Sequence, residues 1–252
     1  DDMAGASLVA FWAWSQWPDK RGPNERGPDK KVPDEKARLM AEQKDKTQKD
    51  KAQKDKAQKD KTQKDKTENN YLRRRVVGVC TGFAPGAPSL NEDGSAKIGM
   101  SSSAPATSLI NPQDPHGWHE IKEQTTLAAR RARWIDIWRA DEKDELAIET
   151  GFQDSATRPD GGRQAVHEYR ILAQVRADNF ELTQLHIDPR ILPYSSCLAA
   201  PTQANIMLGK PLSAFRSQVL THLRGVKGCT HLNDMLRDLA EVPLLARQAA
   251  LV

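Results

Sequence analysis

Three positions in this 252-residue chain carry side chains that could do chemistry at the ends of predicted elements. Cys197 and Cys229 each stand at the start of a predicted helix, and His167 begins a predicted strand with Glu168 beside it. A cysteine at a helix N-terminus lies at the positive end of the helix dipole, which favours its thiolate. Thiolate, imidazole and carboxylate are ligand types that zinc accepts, so these residues, with His231, are candidate metal ligands.

The spacing of these residues does not by itself select one chemistry. The sequence has no C-x-x-C, no H-E-x-x-H and no Ser/His/Asp signature. A second interpretation is therefore a metal-free enzyme in which Cys229 is the nucleophile and His167 or His231 is the general base. In the third, the cysteines are small buried side chains with no chemistry.

Charged residues precede this region on another predicted strand. Arg130, Arg131 and Arg133 could hold an anionic substrate or form a solvated basic cluster. Asp136 lies between two isoleucines and is predicted to point away from the core, because side chains alternate along a strand.

The segments that must position these side chains have two different periods. Period-two patterns predict four strands in an antiparallel meander, over Arg133–Trp138, Glu145–Thr150, Ala165–Val175 and Phe180–Ile187. After Pro193 the apolar spacing changes to three and four residues, which predicts helices over Leu198–Leu208, Leu212–Leu223 and Thr230–Leu239, the last limited by Pro243. The predicted fold class is α+β: an antiparallel sheet of about four strands followed by three helices packed on one face.

The net charge of +4 comes from a repeat of the pentapeptide type KDKTQ. Residues 44–66 contain ten Lys and five Asp, a net charge of +5, which leaves about −1 for the rest of the chain. Five-residue spacing forms no apolar stripe on a helix, so this segment is predicted to be a spacer, either disordered or a solitary helix. Nucleic acid is not expected as a partner, because the Asp residues dilute the basic charge.

The composition predicts four regions. Residues 1–43 form an irregular leader, residues 44–70 the repeat spacer, and residues 71–126 a Pro/Gly/Ser-rich connector with a short strand near Arg74, in which Cys80 is assigned no role. Residues 127–252 form the α+β domain. A protein partner could bind through residues 1–70. Three cysteines and no apolar run of ~18–20 residues indicate a cytoplasmic protein without a transmembrane segment.

The stretch Ile187–Leu239 resembles a bacterial family known as domain of unknown function 2889. The resemblance is carried by Gly228-Cys229-Thr230-His231-Leu232 and by the approach of Pro193 to Cys197. His167-Glu168-Tyr169, where the family has His-Asp-Met, and the Arg130–Ile137 strand also match. The resemblance covers residues 127–252 and implies no known activity.

That pattern is in turn similar to the NifU-type iron–sulfur scaffold fold, whose second and third cysteines correspond to Cys197 and Cys229. His167 stands where the scaffold has its first cysteine. An iron–sulfur cluster prefers four thiolates. The resemblance therefore implies a mononuclear zinc or iron site at His167, Cys197 and Cys229, with Glu168 or His231 as further ligands, and no nucleotide cofactor.

The sequence leads to one function and two alternatives. The first is a metal-binding domain of zinc or iron type. The alternatives are a thiol-dependent enzyme using Cys229, and a structural or interaction subunit that its N-terminal tail and repeat tether to an assembly. Whether the domain is an enzyme is left open at this point.

Overall fold

The structure, a computed structural model, describes residues 75–97, 102–114, 116–117, 122–141 and 144–252. The predicted leader and repeat spacer, and with them the proposed partner-binding segment 1–70, lie outside the described residues. The described residues from Val76 onward belong to one compact unit.

The centre of this unit is a five-stranded antiparallel sheet. Its strands are β1 (Ala104–Pro105), β2 (Ala129–Arg139), β3 (Glu145–Thr157), β4 (Arg163–Arg176) and β5 (Leu182–Ile191). Strands β2 to β5 form the predicted meander. The short β1 pairs with the first residues of β4, along the same edge that β5 occupies further on. The predicted α+β class is confirmed. The strand β1 was not predicted, because two residues are too few to show an alternating pattern.

Helices follow the sheet in chain order. They are α1 (Ala200–Ala204), α2 (Phe215–His222), α3 (Thr230–Asp238) and α4 (Val242–Gln248). Short 3-10 turns precede, join or follow them, at Ser195–Ala199, Asn205–Met207, Leu212–Ala214, Gly225–Lys227 and Leu239–Glu241. No helix within these ranges has the length and apolar character that crossing a membrane requires.

Two of the predicted helices differ in detail from the structure. The first contains only one α-helical turn, since 3-10 turns flank α1 on both sides, and it stops at Gly209, whose φ is +74°. The third predicted helix, Thr230–Leu239, corresponds to α3 and ends before Pro243, but it is not the last helix, because the unpredicted α4 follows it. Pro243 lies in the first turn of α4, where its missing N–H has no helical partner to lose.

The two faces of the sheet have different surroundings. Alternate residues of β3 and β4 point toward the helices, and with apolar helix residues they form the core: Leu146, Ile148, Phe152, Tyr169, Ile171, Val175, Phe215, Val219, Leu232 and Leu236. The residues between them point to the opposite, open face. Their positions follow from the register, in which Phe152 pairs with Tyr169 and Gln153 with Glu168.

Residues 76–97, which we call the strap, pack against the domain rather than forming the predicted short strand. They contain turns and one 3-10 helix, Thr81–Phe83, because Gly78 takes a positive φ of 82° that breaks an extended run. The backbone N–H of Thr81 donates a 2.8 Å hydrogen bond to the carbonyl of Gly228. This bond places the strap next to the start of α3.

Candidate metal centre

Three charged or titratable side chains meet at one level of the sheet. In the register, Arg131 on β2 is the partner of Asp154 on β3, and Asp154 is the partner of His167 on β4. The β3–β4 ladder shifts register directly after this pair. Asp154 is two residues after Phe152 on β3, so its side chain points to the same face, toward the helical layer. Arg131 and His167 point to that face as well, because they are the register partners of Asp154. Asp154 and His167 are buried.

Helix α3 adds a second histidine to this group. Cys229 is the N-cap residue in extended conformation, the helix begins at Thr230, and His231 lies in its first turn, buried at 5% exposure. Its ring stacks on that of His167, with centroids 3.6 Å apart and planes inclined by 21°. Its Nε2 atom lies 3.6 Å from Oδ2 of Asp154. We call Asp154, His167 and His231 the Asp–His–His cluster.

The carboxylate of Asp154 is held in place by Arg131. The guanidinium donates from Nε to Oδ1 at 2.9 Å and from Nη2 to Oδ2 at 2.7 Å, a two-bond geometry that fixes the plane of the carboxylate. Arg131 Nη1 also contacts Asp234 at 3.4 Å, and Asp234 pairs with Arg237. The guanidinium carbon lies 5.0 Å from the ring centroid of Phe152. Neighbouring groups on both sheet and helix thus fix the orientation of Asp154.

His167 is held as a neutral imidazole. Burial lowers its pKa well below the ordinary value of 6.5, and the neighbouring His231 and Arg131 lower it further. Its Nδ1 atom is buried and has no hydrogen-bond partner among the described residues. A neutral imidazole with an unused nitrogen is the form in which histidine binds a metal.

The side chains of the Asp–His–His cluster lie close enough together to reach one ion. One ligand atom from each residue can be chosen so that all three atoms lie within 4.8 Å of one another. No other group of three or more His, Cys, Asp or Glu residues in the described part of the chain does so. The arrangement can therefore supply two imidazole nitrogens and one carboxylate oxygen to a single ion.

Cys229 lies beside this cluster, on the other side of the His231 ring. Its Sγ atom is 3.8 Å from His231 Nδ1. Burial raises the pKa of the thiol, while the N–H group of Leu232 in the first turn of α3 acts in the opposite direction. The hydroxyl of Tyr169 is a further neighbour of this sulfur, and burial together with the Cys229 thiol raises the pKa of Tyr169.

The structure places Cys197 in a separate small cluster. Cys197 packs with Cys80, Phe83 and Tyr194 under the strap. A Cβ atom at Gly82 would lie 2.6 Å from Cys197 Sγ and 3.6 Å from Cys80 Sγ. Cys80 was assigned no role from the sequence, because a single cysteine in a Pro/Gly-rich segment shows no spacing relation to any other residue.

Glu168 points away from His167, because consecutive strand residues face opposite sides of the sheet. On the open face its carboxylate accepts hydrogen bonds from Gln153 Nε2 at 3.0 Å and Thr107 Oγ1 at 3.2 Å, and it contacts Arg190 at 3.4 Å. It borders a cavity of about 490 Å³, whose other charged lining residues are Asp114, Asp136, Glu149, Arg170 and Arg190.

The sequence interpretation missed Asp154. The second predicted strand, Glu145–Thr150, ended four residues short of Asp154, because the alternation weakens through Gly151 and Gln153. The neighbouring arginines were considered for an anionic substrate, and the structure gives two of them carboxylate partners. Arg131 contacts Asp154, and Arg133 contacts Asp238 at 2.7 Å. Asp136 lies on the open face, as its alternation predicted, and partial burial with nearby Glu149 raises its pKa.

Among the comparisons with known proteins, one family model matches the chain. No curated protein and no solved structure matches the chain. A family model described as "Protein of unknown function (DUF2889)" matches residues 129–245. This range includes strands β2 to β5, most of the helical layer and every residue of the Asp–His–His cluster. The match supports assignment of the C-terminal domain to the DUF2889 family of proteins of unknown function, the family that the sequence resemblance predicted.

Proposed function

We propose that the C-terminal domain binds one divalent transition-metal ion, zinc or ferrous iron, through Asp154, His167 and His231. The observation that carries the proposal is the buried Nδ1 atom of His167, which lacks a hydrogen-bond partner among the described residues. Leaving a buried polar atom unpaired costs roughly 1–3 kcal/mol. A metal bond would remove this cost.

The donor set fits these two metals. Two histidines with one carboxylate are one of the three-ligand sets of catalytic zinc sites, and the same combination is the ligand set of non-haem Fe(II) oxygenases. Among the described residues, neither Cys197 nor Cys229 belongs to a set of three ligand atoms within 4.8 Å. The proposal therefore keeps His167 and His231 from the predicted ligands, adds Asp154, and places both cysteines and Glu168 outside the direct ligands.

The neighbouring residues support the same assignment. Metal-binding carboxylates and imidazoles are oriented by hydrogen bonds from a surrounding layer of residues. Arg131 orients Asp154 through two hydrogen bonds. On the far side of the His231 ring, Nδ1 lies 3.4 Å from Thr230 Oγ1 and 3.8 Å from Cys229 Sγ. These contacts leave Nε2 of His231 directed toward Asp154.

Three protein ligands leave coordination positions open on either metal. An ion bound there would supply Lewis acidity for a water molecule or a carbonyl group. The protein would contribute a fixed carboxylate, a neutral imidazole and a buried setting. Whether that chemistry is used is a separate proposal from metal binding itself.

Metal content of the full-length chain tests the proposal. The protein is purified without affinity metal, and bound zinc and iron are measured by elemental mass spectrometry before and after reconstitution with each ion. We expect one equivalent of zinc or iron in the native sequence, and less than a tenth of that in His167→Gln and His231→Gln.

Two variants serve as matched controls. Glu168→Gln changes the carboxylate next to His167 in sequence but on the opposite face, and His186→Gln changes an exposed histidine on β5. Both should keep one equivalent of metal. If Glu168→Gln loses the metal while His167→Gln keeps it, the ion lies on the open face and the proposal is wrong.

A second candidate function rests on the line of contacts through His231. Cys229 Sγ lies 3.8 Å from Nδ1, and Asp154 Oδ2 lies 3.6 Å from Nε2, an order of thiol, imidazole and carboxylate that suits nucleophilic catalysis. Burial raises the pKa of the Cys229 thiol, which opposes formation of the nucleophilic thiolate while Cys229 is buried. Iodoacetamide labelling of metal-free protein at pH 7 tests it: a nucleophilic Cys229 is modified before Cys80 and Cys197, and His231→Gln slows the reaction.

The remaining predictions rest on the sequence. Similarity to a NifU-type scaffold is supported by the positions of Cys197 and Cys229, each at the beginning of a helical segment. Tethering through residues 1–70 concerns a segment outside the described residues and stays a prediction. So does a cytoplasmic location.

A further inference from the structure

We infer that Cys80 and Cys197 are an oxidation site: a buried pair of thiols that closes to a disulfide and fastens the strap, residues 76–97, over the start of helix α3. This inference concerns residues outside the proposed metal ligands and is independent of metal binding.

The two sulfur atoms lie close to one position of the strap, Gly82. Both border the space that a methyl group at Gly82 would fill, 2.6 Å from Cys197 Sγ and 3.6 Å from Cys80 Sγ. Only glycine lets the backbone of the strap approach Cys197 this closely. Both cysteines are free thiols in the structure.

The two cysteines lie in an apolar cluster. Phe83 and Tyr194 enclose the two cysteines, with ring centroids 5.4 Å apart. Burial raises the pKa of Cys80 to about 11 and that of Cys197 to about 12; the Cys229 thiol raises both pKa values further, and the Cys80 thiol adds to the shift of Cys197. A disulfide carries neither a charge nor an S–H donor, so it is compatible with this apolar setting.

The strap is hydrogen-bonded to both the Cys197 turn and the residue before Cys229. Thr81 N–H donates to the carbonyl of Gly228, the residue before Cys229, and Ser196 Oγ donates to the carbonyl of Gly82 at 3.0 Å. Tyr194 donates from its hydroxyl to the carbonyl of Lys97 at 3.3 Å. These three hydrogen bonds, each accepted by a backbone carbonyl, thus join the strap to the Cys197 turn and to the start of α3. A covalent bond between Cys80 and Cys197 would close this connection.

The chemistry requires a disulfide oxidant, for which we name a low-molecular-mass disulfide such as oxidised glutathione. The Cys80 thiolate, from the more exposed of the two residues, attacks one sulfur of the oxidant and releases one thiol. The Cys197 thiolate then attacks Cys80 in the mixed disulfide and releases the second thiol. Two protein thiols are oxidised, one disulfide is reduced to two thiols, and the two protons leave with the released thiols.

The test uses the full-length chain equilibrated in glutathione buffers of increasing oxidation, followed by blocking of free thiols and a non-reducing peptide map. We expect one intramolecular disulfide, between Cys80 and Cys197, with Cys229 still free. In the same samples, N-ethylmaleimide should label Cys229 at least about tenfold more slowly in the oxidised than in the reduced protein, because its labelling needs the strap to open.

Three variants complete the test. Cys229→Ser should leave the Cys80–Cys197 disulfide unchanged, and Cys80→Ser and Cys197→Ser should each abolish the redox dependence of Cys229 labelling. A disulfide that includes Cys229, a stable mixed disulfide at Cys80, or equal labelling rates in both redox states would overturn the inference. The peptide map of the native sequence decides the pairing even if a variant fails to fold. Metal content is no part of these readouts, so the metal proposal can fail without affecting them.

Discussion

Arg131 and Asp154 form a two-bond ion pair across strands β2 and β3, and its shorter bond, Nη2 to Oδ2, is 2.7 Å. A second pair, Arg133 with Asp238, has the same shortest distance of 2.7 Å. The two pairs differ in burial. The Asp154 side chain is 2% exposed, whereas both partners of the second pair are about one-third exposed, at 34% and 33%.

This difference predicts unequal effects of removing the two arginines. Arg131→Met leaves a buried carboxylate without its principal partner and should lower the free energy of unfolding by about 3–5 kcal/mol. Arg133→Met removes a solvent-screened pair and should cost roughly 1 kcal/mol or less. Urea denaturation of both variants, in chelator, measures the difference. Equal losses would show that Asp154 is not buried as described.

The stability of metal-free protein should depend on pH through His167. Its pKa in the folded state lies well below 6.5, mainly because burial disfavours the charged ring. As the pH is lowered, the imidazole of His167 therefore takes up a proton in the unfolded chain before it does so in the folded chain. The free energy of unfolding should be unaffected by His167 above pH 6.5 and should fall as the pH is lowered from there toward the folded-state pKa.

Denaturation in chelator between pH 7.5 and 4.5 measures this dependence. His167→Gln should show a shallower fall, while His186→Gln, which alters an exposed ring, should follow the native sequence. Identical slopes for all three proteins would contradict a buried neutral His167.

Metal should stabilise the folded chain in a ligand-specific way. An ion that binds only the folded state at 100 times its Kd adds about 2.7 kcal/mol to the free energy of unfolding. Thermal unfolding with added zinc or ferrous iron should therefore show a concentration-dependent rise in Tm, which a chelator reverses. His231→Gln should abolish the rise, and a rise that persists in this variant would place the ion elsewhere.

Gly151 and Trp134 should behave as a coupled pair on the open face. They are direct partners in the β2–β3 register, and a Cβ atom at Gly151 would overlap the Trp134 indole. Gly151→Ala should therefore destabilise the fold by roughly 1–3 kcal/mol through overpacking. In a Trp134→Leu background the same substitution should cost at least 0.5 kcal/mol less, about the smallest coupling such cycles report for residues in contact. Additive effects would contradict the register.

Local patterns in the sequence were enough to predict the class and order of the elements. Alternating patterns such as Ala165–Val175 specified strands, and the change of period after Pro193 specified the helices, because burying one face imposes its own spacing on each element. The sequence also placed His167 on a strand and Cys229 at a helix start, since both assignments depend on neighbours within a few residues. The shift of Pro243 from helix end to helix start marks the limit of such local signals.

Which of these side chains meet depends on the folded arrangement of the strands and helices. Glu168 is adjacent to His167 in sequence yet lies on the other face of the sheet, whereas Asp154 and His231, 13 residues before and 64 residues after it, contact the same region. Cys80 and Cys197 meet in the same way. Strand register and helix docking set these contacts. Both are fixed by burial of the whole core, and no single segment of the sequence encodes them.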